Sequence, residues 1–94
     1  MLFSSACANQ TDDVLALDGD ATAGAETYAA ECASCHGDAG EGATGPALAG
    51  SGVDREEVVD LVVNGKEEMP AFGDTLSDQE IADVAAYVAD DLGA

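Results

Sequence analysis

Cys32-Ala33-Ser34-Cys35-His36 gathers two thiols and the chain's single imidazole into five residues, a grouping open to more than one chemistry. Two thiols at this spacing can cycle between dithiol and disulfide. Sulfur and imidazole donors together can hold zinc. The third option is the C-x-x-C-H pattern of c-type haem attachment, in which the thiols add to the two vinyl groups of one porphyrin and the adjoining imidazole faces the iron. A dithiol redox site usually opens a helix that follows a strand in a βαβ unit, whereas an alanine-rich helical pattern precedes Cys32 and no βαβ alternation is visible. Zinc would draw on Cys7, Cys32, Cys35 and His36. The adjacent Cys35 and His36 would then have to turn back on one ion, and the usual second ligand pair is missing. Covalent haem attachment is the chemistry the spacing favours.

An iron held by His36 on one face needs a ligand on the other. Met69, in Met69-Pro70-Ala71-Phe72, is the candidate, since the chain's other methionine is Met1 at the terminus. A neutral, soft thioether opposite histidine favours the ferrous state and raises the potential. Pro70 pushes Met69 away from helical backbone, so its side chain can reach inward from a loop. On the imidazole side, the glycine-rich run Gly37–Gly45 meets Pro46-Ala47-Leu48. A ligating histidine usually presents its second N–H to an acceptor, and the Pro46 carbonyl, steadied by a fixed φ, can be that acceptor. Leu48 is expected to close the pocket on the same side. In isolation, a loop methionine also serves plain packing and a proline in a glycine-rich loop a simple turn.

The elements that must position these groups are helical. Asp20 or Thr22 can cap a helix running through Gly24 and Tyr28 to about Ser34. Gly24 and Tyr28 share a face, and a helical glycine costs about 1 kcal/mol, which points to close approach by another helix. Asp54 and Glu57 stand in capping-box register at the head of a helix rich in Val58, Val59, Leu61, Val62 and Val63, stopped by Asn64-Gly65. Ser77 and Glu80 form a second capping box, followed by the stripe Ile81, Val84, Ala85, Val88 and Leu92 flanked by Tyr87. Asp83, Asp90 and Asp91 are expected off that stripe or near the end, where they oppose the helix dipole and fray the last turn. The stripe needs a partner, and the Gly24/Tyr28 face supplies one.

Composition agrees with an interior filled by a cofactor. The 94 residues form one domain near the size at which a protein-only core becomes marginal, with two tyrosines, two phenylalanines and no tryptophan. Loss of haem should leave such a chain largely unfolded. The formal charge is −18, twenty acidic residues standing against Arg55 and Lys66 alone. That field repels nucleic acid and anionic lipid and favours a basic partner through steering that salt weakens. An acidic coat suits adaptation to high salt equally well.

Residues 1–19 are expected to be an N-terminal extension or tether, and residues 20–94 the folded domain. From Ala8 to Gly19 the residues are mostly small or acidic, and the stretch reads as a linker rather than part of the core, with the apolar interruption Val14-Leu15-Ala16-Leu17 open to covering a patch of the domain. Met1-Leu2-Phe3 carries no positive n-region, so the numbering is expected to begin inside a longer precursor. Cys7, after Ser4-Ser5-Ala6, partly fits the tail of a lipoprotein signal, with a free thiol or an intermolecular disulfide as alternatives. No stretch approaches the ~20 apolar residues of a membrane span, leaving a lipid on Cys7 as the expected route to a membrane.

Together these motifs resemble the small class I cytochromes c, particularly short bacterial and c6-like members, from about Asp20 to Leu92. The resemblance rests on the CASCH site, Gly45-Pro46-Ala47-Leu48, Met69-Pro70-Ala71-Phe72 and the helix from Leu76 to Val88. It implies an all-α cytochrome c fold, three main helices around one covalently bound haem c, with the first and last crossing at Gly24, Tyr28, Val84 and Tyr87. Cys32 and Cys35 would carry the thioether bonds, and His36 and Met69 the axial bonds. The chain departs from some relatives in having no tryptophan for a haem propionate.

The expected function is one-electron transfer, with iron cycling between Fe(III) and Fe(II) among redox proteins of a respiratory or photosynthetic chain. Both axial positions being filled, no catalysis is expected. The compartment is expected to be the periplasm or another extracytoplasmic space. A rival role is a haem-bearing or tethered subunit relaying electrons within an assembly. A haem sensor or peroxidase-like enzyme would require Met69 to leave the iron.

Overall fold

The structure is a computed structural model that describes residues 10–66 and 69–93. It is all-α, as expected: α1 (Gln10–Leu15), α2 (Ala21–Glu31), a single turn α3 (Ala33–His36), α4 (Arg55–Asn64) and α5 (Asp78–Ala86), which continues as a π-helical run over Tyr87–Leu92. Among the described residues the only β-type pairing is an isolated bridge between Lys66 and Met69.

Local chemistry sets the helix starts. The Asp20 carboxylate accepts from the amides of Thr22 and Ala23, Asp54 accepts from the Glu57 amide, and Ser77 and Glu80 close a reciprocal capping box. α4 stops at Gly65, whose φ of 73° is a conformation that other residues reach only with strain. The helix expected to reach Ser34 is interrupted at Cys32 and resumes as the turn that ends in His36, so the haem motif spans the break.

α2 crosses α5 where the sequence placed the contact. Gly24 lies against the Asp83 carbonyl so closely that any side chain there would overlap it. Next along the seam, the Tyr28 and Tyr87 rings stack tilted, with centroids 5.4 Å apart and planes at 56°. Ile81, Val84 and Val59 are fully buried behind them.

Three features differ from expectation. Asp83 does not face away with Asp90 and Asp91: it is only 8% exposed, and its carboxylate accepts from the Asp20 amide and from Gln79 Nε2, both at 2.9 Å. The contact at Gly24 draws it in, and those donors satisfy it. The C-terminal turn does not fray, because its carbonyls are used. Gly93 N–H bonds the Val88 carbonyl, and the Gly50 and Gly52 amides donate to the carbonyls of Leu92 and Gly93.

The third difference concerns the stretch read as a linker. Its described part is instead a helix, α1, packed on α4 and α5 with Val14 fully buried. Arg55 donates to the carbonyls of Leu15 at 3.2 Å and Leu17 at 2.6 Å, so one of the chain's two cationic side chains pins this segment. The apolar run 14–17 has an interior to enter. Cys7 lies outside the described residues. Among the described residues no helix is long and apolar enough to cross a membrane.

Candidate cofactor site

Cys32, Cys35 and His36 open onto a cavity of about 880 Å³, and Met69, Pro46 and Leu48 line it too. All six site residues read from the sequence thus share one space. Cys32 is half-buried and Cys35 exposed. Burial pushes the Cys32 thiol up to about 11, with smaller contributions from the charges of Glu31 and Cys35, so it stays protonated at neutral pH.

The imidazole of His36 is oriented by the loop that follows it. Its Nδ1 lies 2.8 Å from the Pro46 carbonyl oxygen. With the proton on Nδ1 and donated there, the Nε2 lone pair is free for a metal. Gly45 lets the chain pass close against the ring, since a methyl at this position would sit 3.0 Å from His36 Cε1. The loop is pinned to the motif: the Gly42 amide donates to the His36 carbonyl and the Gly45 amide to the Cys35 carbonyl, both at 2.7 Å. Tyr28 adds its hydroxyl, donated to the Gly37 carbonyl at 2.7 Å. Glu41 caps the tip, and amides of its own residue and of Ala39 hold its carboxyl below the usual range.

Met69 is placed by the turn that leaves α4. Lys66 and Met69 exchange backbone hydrogen bonds of 3.1 and 2.9 Å, and the Phe72 and Gly73 amides return to the carbonyls of Val62 and Val63 at the end of α4. The loop is therefore folded back over α4 with the methionine at the cavity.

Much of the remaining wall is apolar: Val58, Leu61 and Val62 from α4, Val84 from α5 and Val88 from its π-helical continuation, with Val53 and Phe72 between, while Glu31, Glu57 and Lys66 bring charge to the lining. The sequence marked Val58, Leu61, Val62, Val84 and Val88 as helical apolar residues without separating those that meet side chains from those that face the cavity. Gly45 was also missed as the neighbour of the ring, although a glycine directly before the acceptor proline was the available signal.

The cavity tests the alternatives. Among the described residues no group of three or more His, Cys, Asp or Glu side chains could hold a metal ion; the zinc set weighed from the sequence includes Cys7, which lies outside them. A flat macrocycle fits. Two thiols, an imidazole with its far nitrogen occupied and a thioether are the donor set of c-type haem, around an apolar space that the chain's own side chains leave unfilled.

A family profile described as "Cytochrome C oxidase, cbb3-type, subunit III" matches residues 19–88. The chain is 42% identical to cytochrome c6 of Picosynechococcus sp. over 90 residues, covering 80% of this chain and 76% of that one. It is 44% identical over 78 residues to cytochrome c6 of Leptolyngbya boryana, covering 76% and 92%. Its fold matches the solved cytochrome c6 of the diatom Phaeodactylum tricornutum with a TM-score of 0.67 at 40% identity, covering 76% of this chain and 92% of that one.

Helices wrapped around a cavity that a C-x-x-C-H turn enters are the build of a c-type cytochrome. The chain belongs to the small class I c-type cytochromes of the c6 type. It carries one covalently bound haem c and is a one-electron carrier.

Proposed function

We propose that Cys32 and Cys35 would carry the thioether bonds to the haem, that His36 Nε2 and the Met69 sulfur would hold its iron, and that Pro46 and Leu48 complete the pocket. The observation that carries this reading is the 2.8 Å contact between His36 Nδ1 and the Pro46 carbonyl, which leaves Nε2 for iron on a cavity that Met69 also lines. When bound, the haem supplies the Fe(III)/Fe(II) couple, which a histidine–methionine pair sets at a raised potential.

The protein's part is positional. Pro46 fixes the imidazole, the Lys66–Met69 bridge fixes the thioether-bearing backbone, and the valines of α4 and α5 keep water from the interior. Ligands held this firmly move little when one electron enters or leaves. Because both ligands come from the chain, no position is left for a substrate, and the protein works as a carrier without being an enzyme. Its partners are redox proteins of a respiratory or photosynthetic chain with basic docking faces, met outside the cytoplasm, and association slows as salt screens the −18 charge. A lipid on Cys7 would tether the domain to a membrane.

The match to a profile named for an oxidase subunit supports a second reading, a domain relaying electrons inside an assembly. Sizing under native and reducing conditions separates the two, since a carrier elutes as a monomer. Intact mass of the native protein tests the attachment: one haem added through Cys32 and Cys35 is expected, and mass equal to that of the bare or merely acylated chain would overturn it. A ferrous form that leaves carbon monoxide unbound is expected from the axial pair.

A further inference from the structure

We infer that α1 is a clasp on the loop that bears Met69, with Gln10 as its positioning residue; this rests on reading Met69 as the iron ligand. The family match covers residues 19–88, and α1 precedes it in the chain. Six residues are too few to hold a helix in water, and α1 is ordered because it is docked. Val14 is fully buried, and Arg55 holds the far end through the carbonyls of Leu15 and Leu17.

At the near end, Gln10 Nε2 donates to the Gly73 carbonyl at 2.6 Å and to Asp78 Oδ1 at 3.0 Å. The Gln10 amide oxygen faces the α-carbon of Gly73, where a methyl would lie 2.6 Å from it. Gly73 closes the segment that starts at Met69. Its amide is held by the Val63 carbonyl of α4 and its carbonyl by Gln10 of α1, so the segment is gripped at that end from both sides. A thioether is a weak, neutral ligand whose place at the iron depends on the loop behind it. Gln10 therefore acts on the iron only through Gly73, by keeping residues 69–73 folded over α4.

The test uses the full-length haem-loaded protein. Gln10→Met keeps the length and removes the donor, Gln10→Lys restores a donor for both the carbonyl and the Asp78 carboxylate, and Asp20→Ala removes a helix cap away from the loop as a control for general destabilisation. Carbon monoxide binding by the ferrous protein reports ligand release, and amide exchange at Phe72 and Gly73 reports the loop. Gln10→Met removes both hydrogen bonds, of which the one to the Gly73 carbonyl holds the loop, and should raise both readouts at least about fivefold, the scale of losing that bond. Gln10→Lys should return them to the parent level and Asp20→Ala leave them there. Equal behaviour of Gln10→Met and parent, or the same rise in Asp20→Ala, would overturn the clasp. Met69→Ala run in parallel keeps the two readings apart. If it opens the iron to carbon monoxide while Gln10→Met is silent, only the clasp falls; if it changes nothing, the ligand assignment falls and the clasp with it.

Discussion

The Pro46 carbonyl stands 2.8 Å from Nδ1 of His36, and Gly45, the residue before that proline, lies close against the ring. The first relationship orients the imidazole and the second makes room for it. A methyl at residue 45 would sit 3.0 Å from Cε1, 3.2 Å from Nδ1 and 3.1 Å from the Cys35 carbonyl, so the ring or the loop has to give. Gly45→Ala should destabilise the protein by roughly 1–3 kcal/mol, as overpacking does elsewhere. Pro46→Ala keeps the carbonyl and loosens only the backbone, and should cost less than about 1 kcal/mol. Denaturant midpoints of both variants test the ordering. Equal midpoints for Gly45→Ala and parent would show that the ring is not confined.

Met69→Ala removes the soft ligand while leaving the Lys66–Met69 backbone bridge possible. The potential should fall, because loss of the thioether removes the preference for the ferrous state, and an open position should bind carbon monoxide. Reductive titration and visible spectra measure both. A variant with parental spectra and potential would mean that the second ligand comes from elsewhere.

The haem motif, the acceptor proline, the methionine loop and the long-helix starts were legible because each is a local statement, although the structure picks Asp20 over Thr22 and forms only the Asp54 half of the box expected with Glu57. Asp20, Asp54 and Ser77 cap amides within three residues of themselves, and a Met-Pro pair or a Gly-Pro pair carries its backbone meaning in the dipeptide. What escaped was non-local. The apolar run 14–17 was visible as a candidate cover for the domain, but the helix at Gln10–Leu15 depends on Arg55 and Gly73, far along the chain, and without them the stretch reads as linker. The π-helical end at Leu92 depends on the Gly50 amide, and the burial of Asp83 on the Asp20 amide. The cavity walls were half legible, since periodicity marks a buried stripe and does not say whether side chain or cofactor lies opposite.

Gly24→Ala sets two opposing effects against each other. Alanine favours a helix over glycine by about 1 kcal/mol, yet its methyl would run into the Asp83 carbonyl and the Tyr87 side chain at the α2–α5 crossing. The Asp83 obstruction is helix backbone, which leaves little to yield, so the clash should dominate and the net loss reach about 2–3 kcal/mol. Denaturant unfolding decides the sign. A stabilised variant would mean that the two helices can separate without loss.

Tyr28 predicts how stability responds to alkali. Its ring is 1% exposed, and burial, followed by the neighbouring charges of Cys32, Tyr87, Glu41 and Asp38, raises its pKa above the ordinary 10.0. Once Cys32 is a thioether its charge is gone, but burial remains the largest cause. Only the protonated phenol can donate to the Gly37 carbonyl, so the folded state holds this proton more firmly than the unfolded chain. The contribution is complete below about pH 10, and is lost as pH rises from the unfolded value through the raised folded one. Tyr28→Phe should cost about 1 kcal/mol at neutral pH, where it deletes the hydrogen bond. It should also lack the alkaline loss, so its stability curve and that of the parent converge as pH climbs. Denaturant midpoints across a pH series read this directly, and a gap between the two proteins that stays constant into strong alkali would show that Tyr28 does not hold its proton by burial.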